Sequence, residues 1–190
     1  MKIPKVIILL GPSGSGKGTQ AELLQKKFGL DYVGSGILLR ARQKINDFSG
    51  RKVGEVIGRG DFAPTAVIFS LWVSTWEEIK NRPEFKGFVI DGSPRKILEA
   101  QLIDQTLEWY EWDKYLSVFL IDVSRQEASR RLLERRREDD TPEAINNRLD
   151  LFEREVMPVI EYYDKSKRLT KVNGEQSVED VHRDILRAIG

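Results

Sequence analysis

Short, unbroken apolar runs alternate along this chain with longer stretches in which apolar residues recur every three or four positions. Val6 to Leu10 is β-branched and aliphatic throughout, the pattern of a strand buried on both faces. A glycine-rich turn follows, and Thr19, Ala21, Leu23, Leu24 and Phe28 then predict a helix stopped at Gly29. Asp31 to Val33 reads as a short strand. Further strands are predicted at Phe88–Ile90, ending at Asp91, at Leu116–Ile121, ending at Asp122, and at Leu169–Val172.

Helical spacing fills the intervals. One helix is expected from Pro64 to about Asn81, and one after Pro94 carrying Ile97, Leu102, Ile103 and Leu107. An arginine-rich helix should run to about Glu138. Thr141-Pro142-Glu143 supplies a hydroxyl cap, a first-turn proline and an early acid. The stripe Ile145, Leu149, Phe152, Val156, Ile160 and Tyr163 follows, with Pro158 expected to bend the helix. Ser177, with Asp180 three residues on, caps a terminal helix. From about Gly34 to Ala63 the chain is less apolar and punctuated by Gly50, Gly54, Gly58 and Gly60, which predicts short helices in a small insertion. Strands alternating with helices imply an α/β fold, a parallel sheet covered on both faces, with ligands at the carboxyl ends of its strands. The loops after Leu10, Ile90 and Ile121 should therefore carry the function.

Composition narrows the class. With 190 residues, 40% hydrophobic and 32% charged, the chain suits one globular domain and neither a disordered nor a fibrous protein. Thirty-one Lys and Arg against 30 Asp and Glu give net +1, too balanced for a protein that coats nucleic acid or an anionic membrane. Cysteine is absent, which excludes disulfides, thiolate catalysis and a Cys-ligated zinc. The run Val6–Leu10 is too short for a secretory h-region, and no later run approaches the ~20 residues that span a bilayer. The expectation is a soluble, cytoplasmic protein.

Gly11-Pro12-Ser13-Gly14-Ser15-Gly16-Lys17-Gly18-Thr19 lies between a buried strand and a helix, the context of a phosphate-binding P-loop. Glycines let the backbone turn its amides toward phosphate oxygens, and Lys17 adds a full charge. The alternative, a glycine-rich turn with one exposed lysine, matches neither the placement nor the spacing. Gly18 stands where the general motif has a magnesium-binding hydroxyl, and Thr19 follows one position later. Asp91 ends a core strand, where P-loop proteins place a carboxylate near magnesium. A strand-end aspartate is often only a turn former, but Asp91-Gly92-Ser93-Pro94-Arg95 adds a guanidinium within five residues, suited to clamping phosphate.

Arg130, Arg131, Arg135, Arg136 and Arg137 crowd one helix, with Arg148 beyond Asp139-Asp140. A solvated face paired with Glu134 and Glu138 accounts for Arg130 and Arg136. A nucleic-acid groove would want a larger charge excess and aromatic interleaving. Converging guanidinium groups suit phosphoryl transfer, whose transition state spreads negative charge over equatorial oxygens. His182, the one histidine, sits on the terminal helix far from every motif and reads as surface or helix packing. No Ser-His pair or metal-ligand cluster stands out, and transfer onto an already ionised phosphate oxygen requires no general base.

Taken together, these motifs resemble the adenylate kinase family of nucleoside monophosphate kinases over nearly the whole chain. Gly16-Lys17-Gly18-Thr19-Gln20 matches the ending of that family's P-loop and accounts for the displaced threonine. Ser35-Gly36-Ile37-Leu38-Leu39-Arg40 is similar to its monophosphate-binding segment, Asp91 to Arg95 to its Asp-Gly-Phe-Pro-Arg, and Asp139 to Glu143 with Arg148 to its late Asp-Asp-Thr-Pro-Glu.

The resemblance implies a three-layer P-loop fold on a five-stranded parallel sheet. It divides the chain into a core (1–33, 64–130, 141–190), a mobile monophosphate-binding insertion (34–63) and a short lid (131–140). It implies that Lys17, Arg95, Arg135, Arg137 and Arg148 neutralise the transferring phosphoryl group, while Asp91 orders magnesium-bound water. Gly14, Ser15, Gly16, Lys17, Gly18, Thr19, Arg131, Arg135 and Gln176 would hold ATP, with the Gly174–Gln176 backbone at its adenine. Ser35, Gly36, Arg40, Asp61, Phe62, Ala63, Gly92, Arg95 and Glu99 would hold the monophosphate. The implied cofactor is Mg2+ brought by ATP, without zinc, and the implied state is a monomer that binds neither nucleic acid nor membrane.

Three departures qualify the likeness. Arg135 and Arg137 are two apart, so the lid is shorter than the family's short form, and weaker shielding of ATP with some idle hydrolysis is expected. Ile37 replaces an aspartate and Ser93 a phenylalanine beside the monophosphate. Glu99 stands where the family reads adenine with a glutamine. A glutamine amide donates to N1 and accepts from the N6 amine, whereas a carboxylate only accepts, which suits guanine better. Glu99 pointing to solvent, and Gln101 taking its place, both remain open from sequence. The reading is ATP plus AMP to two ADP in nucleotide homeostasis. GMP, then UMP or CMP, are alternative acceptors, and a non-catalytic nucleotide-binding module is the alternative of another class.

Overall fold

The computed structural model describes residues 4–135, 137 and 139–190. Its elements, in chain order, are β1 (Lys5–Leu10), α1 (Lys17–Phe28), β2 (Asp31–Gly34), α2 (Ser35–Gln43), α3 (Phe48–Arg59), α4 (Thr65–Lys80), β3 (Gly87–Asp91) and α5 (Ile97–Trp109). These are followed by a 3-10 turn (Asp113–Tyr115), β4 (Leu116–Asp122), α6 (Arg125–Arg135), α7 (Pro142–Leu151), a π-helical turn (Phe152–Val156), α8 (Met157–Lys165), β5 (Leu169–Asn173) and α9 (Val178–Ile189). The five strands are parallel and ordered β2-β3-β1-β4-β5.

The apolar run of β1 sorts by alternation onto the two faces of the sheet. Val6, Ile8 and Leu10 join a cluster with Trp72 and Trp76 of α4, Ile103 and Leu107 of α5, and Tyr163 of α8. Ile7 and Leu9 join Leu24 of α1, Leu132 of α6, Leu149 of α7 and Ile185 of α9. A strand buried on both faces cannot alternate apolar with polar, which is why β1 reads as a continuous aliphatic run.

Local chemistry sets the helix ends. Thr141 accepts from the Ala144 amide, with Pro142 in the first turn, and Ser177 accepts from the Asp180 amide. Pro158 disturbs its helix in a specific way: the turn before it, Phe152–Val156, widens to π geometry. Proline has no amide to donate and its ring crowds the carbonyl four residues back, so the helix accommodates it by loosening one turn. The Ser93–Pro94 peptide is cis.

β1 leads through α1 to β2 on one side of the sheet, whereas β3 leads through α5 to β4 on the other. Strand order therefore reverses between β1 and β3, and a crevice opens at their carboxyl ends. The residues 11–16 and 92–96 both empty into it. Among the described residues no helix is long and apolar enough to cross a membrane.

Candidate active site

The crevice is a cleft of about 730 Å3. Its lining includes Lys17, Arg40, Arg95, Arg131, Arg135, Arg137 and Arg148 against Glu22, Asp61, Asp91 and Asp139, seven cations to four anions. A chain of net charge +1 thus concentrates its cationic excess in one concavity, which attracts anions and raises their local concentration.

The P-loop forms one wall. Gly14 and Gly16 adopt φ of 87° and 93°, and a Cβ at Gly14 would lie 2.5 Å from the Ala128 carbonyl oxygen. Only glycine combines that backbone with that approach. Lys17 Nζ donates to the carbonyls of Gly11 and Pro12 at 2.8 Å each and to Ser15 Oγ at 3.3 Å. Burial lowers its pKa to about 8; Asp91 opposes that shift, while Arg95 and Arg135 add to it.

From β3, Asp91 accepts a 2.7 Å hydrogen bond from the Tyr32 hydroxyl. The Arg95 guanidinium lies 4.7 Å from the centre of the Phe62 ring. Burial lowers the Arg95 pKa from the usual guanidinium value, Glu99 and Asp91 oppose this, and Arg148 and Arg40 press it down further. That mutual perturbation is what convergence of guanidinium groups does to each member.

Arg135 and Arg148 are tied by shared acids. Asp140, whose carboxylate is fully buried, pairs with Arg135 and Arg148 at 2.8 Å each, and Asp139 pairs with Arg148 at 2.6 Å. The Arg137 amide donates to Asp140 as well. Arg131 donates to Glu127 and to the Gly174 carbonyl, which links α6 to the loop after β5. In that loop Gln176 donates to Asp184. Arg130 pairs with Glu127 and Glu134, a solvated face as expected, though with Glu127 beside Glu134. Arg136 and Glu138 fall outside the described residues.

The structure brings the expected set together. Gly14, Ser15, Gly16, Lys17, Gly18, Thr19, Gly36, Arg40, Asp61, Phe62, Asp91, Gly92, Arg95, Arg131, Arg135, Arg137, Arg148 and Gln176 all line the cleft. Ser35, Ala63 and Glu99 lie just behind it, around a cavity of about 10 Å3 that shares Leu39, Phe62, Ser93 and Arg95 with the cleft. Glu99 does not point to solvent. It is 2% exposed, and its Oε2 accepts from the Arg95 amide at 2.6 Å. Gln101 is exposed and does not line either cavity, so it does not take the place of Glu99. Ser35 and Ser93 share a short hydroxyl–hydroxyl bond, and Trp72 Nε1 donates to Ser35 at 3.2 Å. His182 packs as expected, its Nδ1 3.1 Å from Oε1 of buried Gln20.

Sequence reasoning missed Tyr32 as the partner of Asp91 and Asp140 as the shared partner of Arg135 and Arg148. Asp140 sits inside the recognised Asp-Asp run, and its spacing of five and eight from Arg135 and Arg148 was the available signal.

The family model for adenylate kinase matches residues 9–168 of this chain. The chain belongs to the adenylate kinase family. It is 32% identical over 184 residues to an adenylate kinase of Prochlorococcus marinus (strain MIT 9211), covering 97% of this chain and 96% of that one. It is 34% identical over 185 residues to one of Azobacteroides pseudotrichonymphae, covering 95% of each chain. With one of Chlamydia pneumoniae it shares 31% over 211 aligned positions, covering 97% of each. Family membership and the P-loop α/β architecture agree, and the motifs that carry the likeness are those that line the cleft.

Proposed function

We propose that this chain transfers a phosphoryl group reversibly from Mg-ATP to AMP, giving two ADP. The observation that carries the reading is the convergence of Lys17, Arg95, Arg135, Arg137 and Arg148 on one cleft between a P-loop and a second, small recess of mixed lining. Gly14 to Thr19 present backbone amides to the donor's phosphates, and Arg131 with the Gly174–Gln176 segment flanks its adenine. Arg40 and Arg95 hold the acceptor phosphate, with Ser35, Gly36, Asp61, Phe62, Ala63, Gly92 and Glu99 about its nucleoside. The acceptor oxygen is already ionised, so these side chains act by alignment and charge neutralisation.

Among the described residues no group of three or more His, Cys, Asp or Glu could hold a metal ion. The donor set fits a cation carried in by the nucleotide, with Asp91 as the acid that orders its water. Gly18 and Asp91 both line the cleft, a Cβ at Gly18 lying an ordinary 3.7 Å from Asp91 Oδ2. Magnesium, when bound, supplies positive charge to the β- and γ-phosphate oxygens. Residues 34–63 and 131–140 close over the acceptor and donor respectively, and the working unit is a cytoplasmic monomer.

One observation favours a second acceptor. Glu99 is a buried carboxyl at the edge of the recess, and in its ionised form it matches the donors of guanine. The test is ADP formation from Mg-ATP with AMP, GMP, CMP and UMP in a coupled assay. AMP as the best acceptor supports the reading; a preference of about tenfold or more for GMP replaces AMP by GMP. Binding of ATP and AMP without turnover would leave a nucleotide-binding module.

A further inference from the structure

The geometry points to the Tyr32 hydroxyl as a positioning residue that holds Asp91 for the cation on the donor nucleotide, with the missing side chain of Gly34 making room for it. This rests on the reading of Asp91 given above. β2 and β3 run parallel with Gly34 opposite Asp91 and Tyr32 opposite Val89. Alternate residues of a strand share a face, so Tyr32 and Gly34 project to one side of the sheet, as do Val89 and Asp91. The phenol ring lies along the strand over Gly34 and reaches Asp91 Oδ2 at 2.7 Å. A Cβ at position 34 would overlap the ring and come within 2.6 Å of its hydroxyl. Gly34 is therefore the condition for this hydrogen bond.

Lys17, a cation that Asp91 influences, has its ammonium on Gly11, Pro12 and Ser15. Asp91 is close enough to raise the lysine's pKa against the burial that lowers it, so the two charges attract across the cleft. A carboxylate with free rotation would swing toward that ammonium. The phenol stops this by engaging Oδ2. A side chain that fixes a carboxylate acts through it. Partners of direct metal ligands are worth about tenfold or more in metal affinity. Tyr32, one step further out behind a carboxylate that orders the ion's water, should be worth about threefold to tenfold.

The probe is Mn2+ titrated into the full chain with saturating ATP and followed by electron paramagnetic resonance, with KM for the monophosphate measured in parallel. Tyr32→Phe removes one oxygen and nothing else. It is expected to raise the Mn2+ dissociation constant at least about threefold while the KM for the monophosphate stays within about twofold. Gly34→Ala keeps the hydroxyl but displaces the ring, and should weaken Mn2+ similarly. Because both act through one hydrogen bond, the double variant should be no worse than the weaker-binding single variant. An unchanged Mn2+ dissociation constant in Tyr32→Phe, or equal losses of Mn2+ and monophosphate binding, overturns the inference alone. A wild-type protein that transfers to no monophosphate overturns the functional reading as well.

Discussion

Replacing Glu99 by glutamine should shift the acceptor preference further toward AMP and away from GMP. Glu99 is 2% exposed on α5, with Oε2 held by the Arg95 amide and its carboxyl bordering a recess that has room for about one water. An ionised carboxylate facing adenine sets acceptor against the N1 acceptor, whereas guanine presents two donors. Glutamine has the same shape and offers one of each. A hydrogen bond to a charged group contributes ~1.5–3 kcal/mol, and a buried polar atom left without a partner costs ~1–3 kcal/mol. One bond gained for AMP and one lost for GMP therefore shift the AMP:GMP ratio of kcat/KM by ~3 kcal/mol, about a hundredfold. Initial rates of ADP and GDP formation, measured across the pH range in which the protein stays folded, read this directly. Burial raises the Glu99 pKa above the usual carboxyl value, so the protonated form, which regains a donor, persists to higher pH. The wild-type AMP:GMP ratio should then fall as pH rises through that pKa, and the Glu99→Gln ratio should stay flat. Stability gives an independent sign. A carboxyl with a raised folded pKa is least unfavourable at low pH and becomes more so as pH rises through that value. Glu99→Gln should therefore be the more stable protein at about pH 8, with the gap closing toward pH 5 in urea titrations. A ratio that moves less than about threefold, with the same pH profile in both proteins, refutes base reading by Glu99.

The other expectations are simpler. Lys17→Met should lose ~3 kcal/mol or more of transition-state stabilisation, at least about a hundredfold in kcat/KM, and a wild-type rate would remove Lys17 from the chemistry. Because the Lys17 pKa is lowered to about 8 in the nucleotide-free protein, kcat/KM for ATP should fall as pH rises above about 8 while kcat holds to higher pH. A kcat/KM that is flat to about pH 9.5 would contradict this. The short segment between Arg135 and Thr141 should shield ATP poorly, giving hydrolysis without acceptor above about a hundredth of the transfer rate; a lower rate counts against it.

Much of this arrangement is legible in the sequence because it follows from local chemistry. A strand buried on both faces declares itself by aliphatic continuity, and Thr141, Ser177 and Gly29 mark helix ends by their capping chemistry. What depends on rotation or register is not so plain. The inward direction of Glu99 follows from α5 burying Ala100, Ile103 and Leu107, and Glu99 lies four and eight residues before the last two. Exposed Leu98 and Trp109 obscure that stripe. The Tyr32–Asp91 bond depends on β2 pairing with Gly34 opposite Asp91, a register that no local pattern announces. Pro158 signals a disturbance, but whether the helix kinks or widens is settled by tertiary packing of the turn before it.

The electrostatics of the cleft explain why acids accompany its cations. Seven positive side chains around one cavity repel each other, and the lowered pKa values of Lys17, Arg95 and Arg137 record burial together with that repulsion. Asp140 and Asp139 hold Arg135 and Arg148, and the P-loop's own carbonyls and Ser15 hold the Lys17 ammonium. Lys17, Arg131, Arg135 and Arg148 thus have acceptors before any phosphate arrives, while the Arg95 guanidinium lies over the Phe62 ring. A phosphate that enters replaces the Lys17 contacts with better ones, since its charge exceeds that of a carbonyl dipole. The Asp140 bonds are of another kind. They are made by a fully buried carboxylate to two guanidinium groups at once, and losing one partner of such a pair is costly. Lys17 is therefore held by neutral acceptors that a phosphate can displace, whereas Arg135 and Arg148 are held by carboxylates that it displaces less easily.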